Sequence, residues 1–165
     1  MPGRRAAPGA GLALPFIGRA RAQPWAPARP VRLVVPFQGG GATDLTARLL
    51  AERLGPVLGQ PVVVDNRPGA GGNVGADLVA KAEPDGHTIL MCTIGTASIN
   101  QFLYSRMPYR PEDLAAVALV NLVANGVVVN ADVPARDFPA FVAHAKSNPG
   151  RLNYGTPGNG TSGHL

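Results

Sequence analysis

The fold is decided by Val31-Arg32-Leu33-Val34-Val35-Pro36-Phe37-Gln38-Gly39-Gly40-Gly41-Ala42-Thr43-Asp44. Residues 31–37 are mainly β-branched and apolar, the composition of a buried strand. Three glycines then turn the chain into a helical pattern, with Leu50, Leu54, Val57 and Leu58 on one face and Arg48 and Glu52 spaced to pair on another. Gly59 supplies the stop. Outward from this unit the alternation repeats. Residues 61–65 read as a second strand, 68–72 as a second glycine turn, and 73–82 as a short helix that Asn73 is placed to cap. Residues 83–86 then turn into a third apolar strand over 87–93. Strands that alternate with helices and are apolar on both faces predict an α/β fold with a parallel sheet covered on two sides.

Further along, the pattern changes character. A short helix is expected over 96–104 and an irregular link over 107–111. Two apolar strands, 115–123 and 126–130, then follow in quick succession, which suits a crossover between lobes. Asp137 is placed to cap a helix over 138–147, Pro149-Gly150 stops it, and a strand over 152–155 leads into the polar loop 156–162. No internal repeat of solenoid length is visible.

Composition bounds the function. With 165 residues, 45% of them hydrophobic, the chain is long enough for one modest core or for half of a larger two-lobed one. The net charge of +5 invites a nucleic-acid reading until the charges are located: Arg4, Arg5, Arg19 and Arg21 all lie in the first 22 residues, where there is no Asp or Glu. The rest is near neutral and offers no footprint for a phosphate backbone, so no nucleic-acid partner is expected. That first stretch reads as a signal peptide over 1–22: a basic start, a short apolar run over 10–17, and Ala20-Arg21-Ala22 as a small-x-small cleavage site before Gln23. A disordered tail is the alternative, and the general and twin-arginine routes both stay open. No other segment is long and apolar enough to span a membrane. Cys92, the single cysteine, excludes an internal disulfide and a thiolate metal cluster.

Which residues carry chemistry? Phe37 to Asp44 form a strand-to-helix turn whose glycines let backbone N–H groups face outward at the positive end of a helix, an anion site made without a cation. Thr43 adds a hydroxyl donor. Asp44 would repel a carboxylate unless it caps the helix, and its other use is to capture an amino group on a ligand. On spacing alone a plain tight connection fits this turn equally well. Gly95-Thr96-Ala97-Ser98 and 156–162 are two more turns rich in glycine and hydroxyls, and all three should lie at strand C-terminal ends, where ligands settle in open parallel sheets. Taken singly, Thr96, Ser98, Thr161 and Ser162 suit local capping or turn closure better than binding; the convergence of three such loops at one edge shifts the balance toward binding. Sharper motifs fail. Neither Lys81 nor Lys146 follows glycine as a phosphate loop requires, and Gly69, Gly71 and Gly75 miss the dinucleotide spacing. There is no nucleophile elbow, and His87, His144 and His164 are too scattered for a metal site.

Taken together, four stretches look like the Bug-type substrate-binding proteins of tripartite tricarboxylate transporters. They are Val34 to Phe37 running into Gly40-Gly41-Ala42-Thr43-Asp44, then Asp65-Asn66-Arg67-Pro68-Gly69-Ala70-Gly71-Gly72-Asn73-Val74-Gly75, then Pro84-Asp85-Gly86-His87-Thr88, and finally Leu152-Asn153-Tyr154-Gly155 with Gly158-Asn159-Gly160-Thr161-Ser162. The resemblance implies a periplasmic-binding-protein-like, two-lobed receptor with parallel-rich sheets, truncated here within its second lobe: signal peptide 1–22, first lobe 23–120, start of the second lobe 121–165. It implies a monomer outside the inner membrane that holds a small organic acid and delivers it to a membrane permease, with no catalytic residue and no cofactor. Carried over residue by residue, the ligand contacts are Phe37, Gly40, Gly41, Ala42 and Thr43, with Asp44 beside them, then Thr96 and Ser98, then Gly158, Asn159, Gly160, Thr161 and Ser162. Chains of the family resemble one another in being longer and in returning to complete the first lobe, so the isolated chain is expected to be unstable or to aggregate. A truncated, non-functional gene fragment and an α/β enzyme with a nucleotide cofactor are the other readings, and the sequence does not name the carboxylate.

Overall fold

The computed structural model describes residues 25–156 and 161–164. The signal-peptide reading of residues 1–22, and Gly158, Asn159 and Gly160, fall outside the described residues.

Strand β1, Val31–Val35, is the middle of a three-stranded sheet in the order β2-β1-β3, with β2 at Val62–Asn66 and β3 at Thr88–Leu90. Both pairings are parallel, with Val31 opposite Val62 on one side and Leu33 opposite Ile89 on the other. The central position explains why β1 reads as continuously apolar: Val31, Leu33, Val34 and Val35 are at most 1% exposed. Helix α1, Ala42–Leu58, connects β1 to β2, and α2, Asn73–Ala80, connects β2 to β3. Right-handed crossovers running to opposite sides of β1 put these helices on opposite faces of the sheet. The α1 side holds the core of Leu33, Val35, Ala47 and Met91, with Leu50, Val62, Val64 and Ile89 packed around it. On α1 the small Ala47 and Ala51 are the buried apolar residues, whereas Val57, expected on the packed face, is 80% exposed.

After β3, which is shorter than the run 87–93, the chain enters a π-helical segment, Gly95–Ile99, that continues as α3, Asn100–Leu103. Helix α4, Phe138–Ser147, forms as expected, and Asp137 caps it by accepting the Ala140 N–H at 2.8 Å. The strands expected over 115–123, 126–130 and 152–155 do not form. A strand needs neighbours for its N–H and C=O groups, and none of the described residues pairs with these runs. Val117, Leu122 and Val128 stand 86–91% exposed as a result.

Candidate ligand-binding site

The strand order makes the site. The chain leaves β1 toward β2 on one side, while β3 lies on the other, so the connections diverge between the C-terminal ends of β1 and β3. In open α/β sheets that divergence opens the crevice in which ligands bind. Two of the three polar turns singled out from the sequence flank it: 36–41 after β1 and 91–99 after β3.

The first turn is built around Asp44. Gly40 takes a φ of +87°, a conformation open to glycine, and Gly41 is the N-cap of α1 without any side-chain cap. Asp44 is therefore not the cap. It sits in the first helical turn, 2% exposed, and reaches back to accept the Gly40 N–H at 2.8 Å. Its carboxylate also accepts from Arg48 Nε at 3.0 Å and from Asn66 Nδ2 at 3.0 Å, and Asn66 donates in addition to the Phe37 carbonyl at 3.1 Å. Hydrogen bonds from Arg48, the Gly40 N–H and Asn66 hold the Asp44 carboxyl at about 2, so it is ionised throughout the physiological range. Arg48 thus pairs back to Asp44 rather than forward to Glu52, because Asp44 is already fixed and buried. The pairing neutralises the charge that would repel an incoming anion. With the Asp44 carboxylate occupied, the donors left to a ligand include the N–H groups of Gly41, Ala42 and Thr43, which a helix start leaves without internal partners.

The third turn uses its hydroxyls unequally. Thr96 is 1% exposed, and its Oγ1 accepts the Thr93 N–H at 3.0 Å and donates to the Thr93 carbonyl at 3.1 Å. Ser98 is exposed. The glycine loop after β2 stands between the two: a Cβ on Gly72 would lie 2.7 Å from Thr96 Cγ2, 3.3 Å from Pro36 Cβ and 3.4 Å from Phe37 Cζ. The turns after all three strands are thereby in contact, a juxtaposition that turn chemistry alone does not give. Asn73, expected to cap α2, is instead its first residue and is buried at 2% exposure beneath this loop.

Of the last loop, Ser162 pairs with Asn125: its carbonyl accepts Asn125 Nδ2 at 3.1 Å and its Oγ donates to Asn125 Oδ1 at 3.4 Å. Thr161 lies in the turn closed by the His164 N–H on its carbonyl at 3.0 Å. Asn66 and Arg48 are the side chains holding the first turn that spacing did not assign to it; the signal was present in the Asp44 and Arg48 spacing and in Asn66 ending β2. Two shallow depressions run along β2, one lined by Arg32, Asp65 and Arg67 and one by Ala51, Gly55 and Val62. They belong to the uncovered edge of the sheet rather than to the crevice.

A doubly wound parallel sheet with polar turns gathered at the β1/β3 divergence is an α/β lobe of the periplasmic-binding-protein kind. The family profile described as "Tripartite tricarboxylate transporter family receptor" matches residues 46–165, and the chain belongs to that family. It is 45% identical over 140 residues to the UPF0065 protein in the tcbD-tcbE intergenic region of Pseudomonas sp. (strain P51), covering 84% of this chain and 41% of the relative. Among solved structures, R. palustris Rpa4515 with adipate superposes with a TM-score of 0.70 at 35% identity, over 84% of this chain and 46% of that one. MatC (Rpa3494) from Rhodopseudomonas palustris with bound malate gives 0.63 at 35% identity, over 73% and 42%. The chain spans about two fifths of the length of the curated relatives it matches.

Proposed function

We propose that the protein is an extracytoplasmic receptor that captures a small organic carboxylate and hands it to the membrane permease of a tripartite tricarboxylate transporter. The observation that carries this reading is the first turn, where an internal carboxylate is neutralised by Arg48 and the helix start that follows leaves N–H groups without internal partners beside the β1/β3 divergence. Malate and adipate, bound by the two structural neighbours, are dicarboxylates, which fits donors of this kind. Neutral donors suffice: each hydrogen bond to a charged acceptor contributes about 1.5–3 kcal/mol, enough in sum to hold the anion while still allowing release. The receptor family to which the chain belongs captures solutes, and no catalytic role is assigned to any residue.

The contacts we assign are Phe37, Gly40, Gly41, Ala42 and Thr43 from the first turn, the turn bearing Thr96 and Ser98, and residues 158–162. Asp44 is given the task of holding the first turn. Residues 1–22 act as the export signal to the periplasm, 23–120 form the first lobe and 121–165 begin the second; the receptor works as a monomer without cofactor. Among the described residues no helix is long and apolar enough to cross a membrane. The test is a thermal-shift screen of the chain from Gln23 against a panel of organic acids, since a ligand that binds only the folded state raises the melting temperature. A dose-dependent rise with one carboxylate supports the reading. No rise with any member of the panel, in a preparation that melts cooperatively without ligand, contradicts it.

A further inference from the structure

Behind the crevice lies a cluster of polar side chains that a ligand cannot reach. Asn100, at the start of α3, is 0% exposed and donates through Nδ2 to the Gly71 carbonyl at 3.0 Å and to Asn73 Oδ1 at 2.6 Å. Tyr109, 4% exposed, donates its hydroxyl to the Thr96 carbonyl at 2.6 Å and lies 3.5 Å from Asn73 Oδ1. These bonds join three stretches far apart in sequence: the glycine loop after β2, the π-helical segment after β3, and residue 109 beyond α3. The cluster is expensive to bury, because Asn100 Oδ1 has no hydrogen-bond partner although it is sealed from solvent. Apolar side chains would fill the space at less cost, but only directional hydrogen bonds fix the height of one loop against another. The Thr96 carbonyl that Tyr109 reaches lies within the π-helical segment, whose i→i+5 bonding departs from the α-helical pattern.

We propose that Asn73, Asn100 and Tyr109 are positioning residues for carboxylate capture, locking the turn after β3 and the glycine loop 69–72 against the first turn so that the two sides of the crevice keep one spacing. The proposal rests on the receptor reading above. Gly72 is the wedge through which the lock acts, since its missing Cβ lets the loop touch Thr96 and Phe37 together. Burial pushes the Tyr109 phenol up to about 12, with a smaller push from Cys92, so it remains a donor at any working pH.

The test compares the full chain with its Tyr109→Phe and Asn100→Ala variants. Tyr109→Phe keeps the ring and serves if Asn100→Ala fails to fold. Amide hydrogen exchange without ligand is expected to speed up together at 71–74 and 94–100 in Tyr109→Phe, with β1 and β2 unchanged. The dissociation constant for malate or adipate, whichever the parent chain binds, is expected to rise about tenfold, the loss of one strong hydrogen bond. Faster exchange confined to 107–111, or exchange altered in both turns with an unchanged dissociation constant, overturns the proposal. A parent chain that binds neither acid nor any other carboxylate overturns the receptor reading instead, and the ligand-free exchange then decides the coupling alone.

Discussion

Residues 31–35 and residues 115–130 are similarly apolar, yet they end in opposite states. The first is the most deeply buried part of the molecule, with Val34 and Val35 at 0% exposure; in the second, Val117 is 90% and Val128 91% exposed. Hydrophobicity does not separate them. What separates them is the supply of partners: β1 is followed, within 60 residues, by two further strands that pair with it on either side, while none of the described residues pairs with 115–130. Apolar burial pulls a segment inward, but the backbone groups of a strand must be satisfied before it can stay there.

The largest expected effect sharpens that contrast. Leu33→Ala opens a cavity in the packed core and is expected to cost about 2–5 kcal/mol, whereas Val117→Ala should stay within about 0.5 kcal/mol; urea unfolding of the two variants checks this. Equal losses would break the comparison. Gly75→Ala comes next, because its Cβ would lie 2.9 Å from Pro36 Cα and 3.0 Å from the Arg67 carbonyl, so α2 must move off the sheet. A loss of about 1–3 kcal/mol in the same experiment is expected for such overpacking.

Acid comes third. The Asp44 carboxyl, held at about 2 against an ordinary 3.8, stabilises the fold fully above its ordinary value, and that stabilisation is lost as the pH falls from about 4 toward 2. Thermal melts across that range should show a drop that Asp44→Asn lacks; identical profiles would mean that the carboxylate does not pin the turn. The smallest effect on stability belongs to the paired change Leu122→Lys and Val128→Lys. It should leave the melting temperature unaltered and raise the concentration at which light scattering detects aggregates, because both side chains face solvent. A lowered melting temperature would show that these residues pack after all.

The three strands and two helices within residues 31–90 were legible in the sequence because local and tertiary preferences agree there. The strand 31–35, the glycine turn, α1, the strand 62–66 and α2 all follow from apolar runs punctuated by glycine, and a parallel sheet from their alternation. The Asp137 cap of α4 was legible for the same reason, being a local bond three residues long. What failed needed information from far along the chain. Asp44 and Asn73 are residue types that cap helices, but each is claimed by partners elsewhere, Asn66 for the one and Asn100 for the other. Thr96 is a different case: its hydroxyl closes its own turn on Thr93, the local alternative that the sequence had left open.

The central claim is that a carboxylate is held by the backbone donors of the turn after β1. A ¹⁵N chemical-shift titration of the full chain with malate and with adipate tests it most directly. The account predicts saturable shifts at the Gly41, Ala42 and Thr43 amides with at least one of a set of such organic acids, with the Gly40 amide, already bonded to Asp44, moving less. Saturable shifts that spare residues 41–43 and centre elsewhere, for example on the Arg32 and Arg67 edge of the sheet, would contradict it.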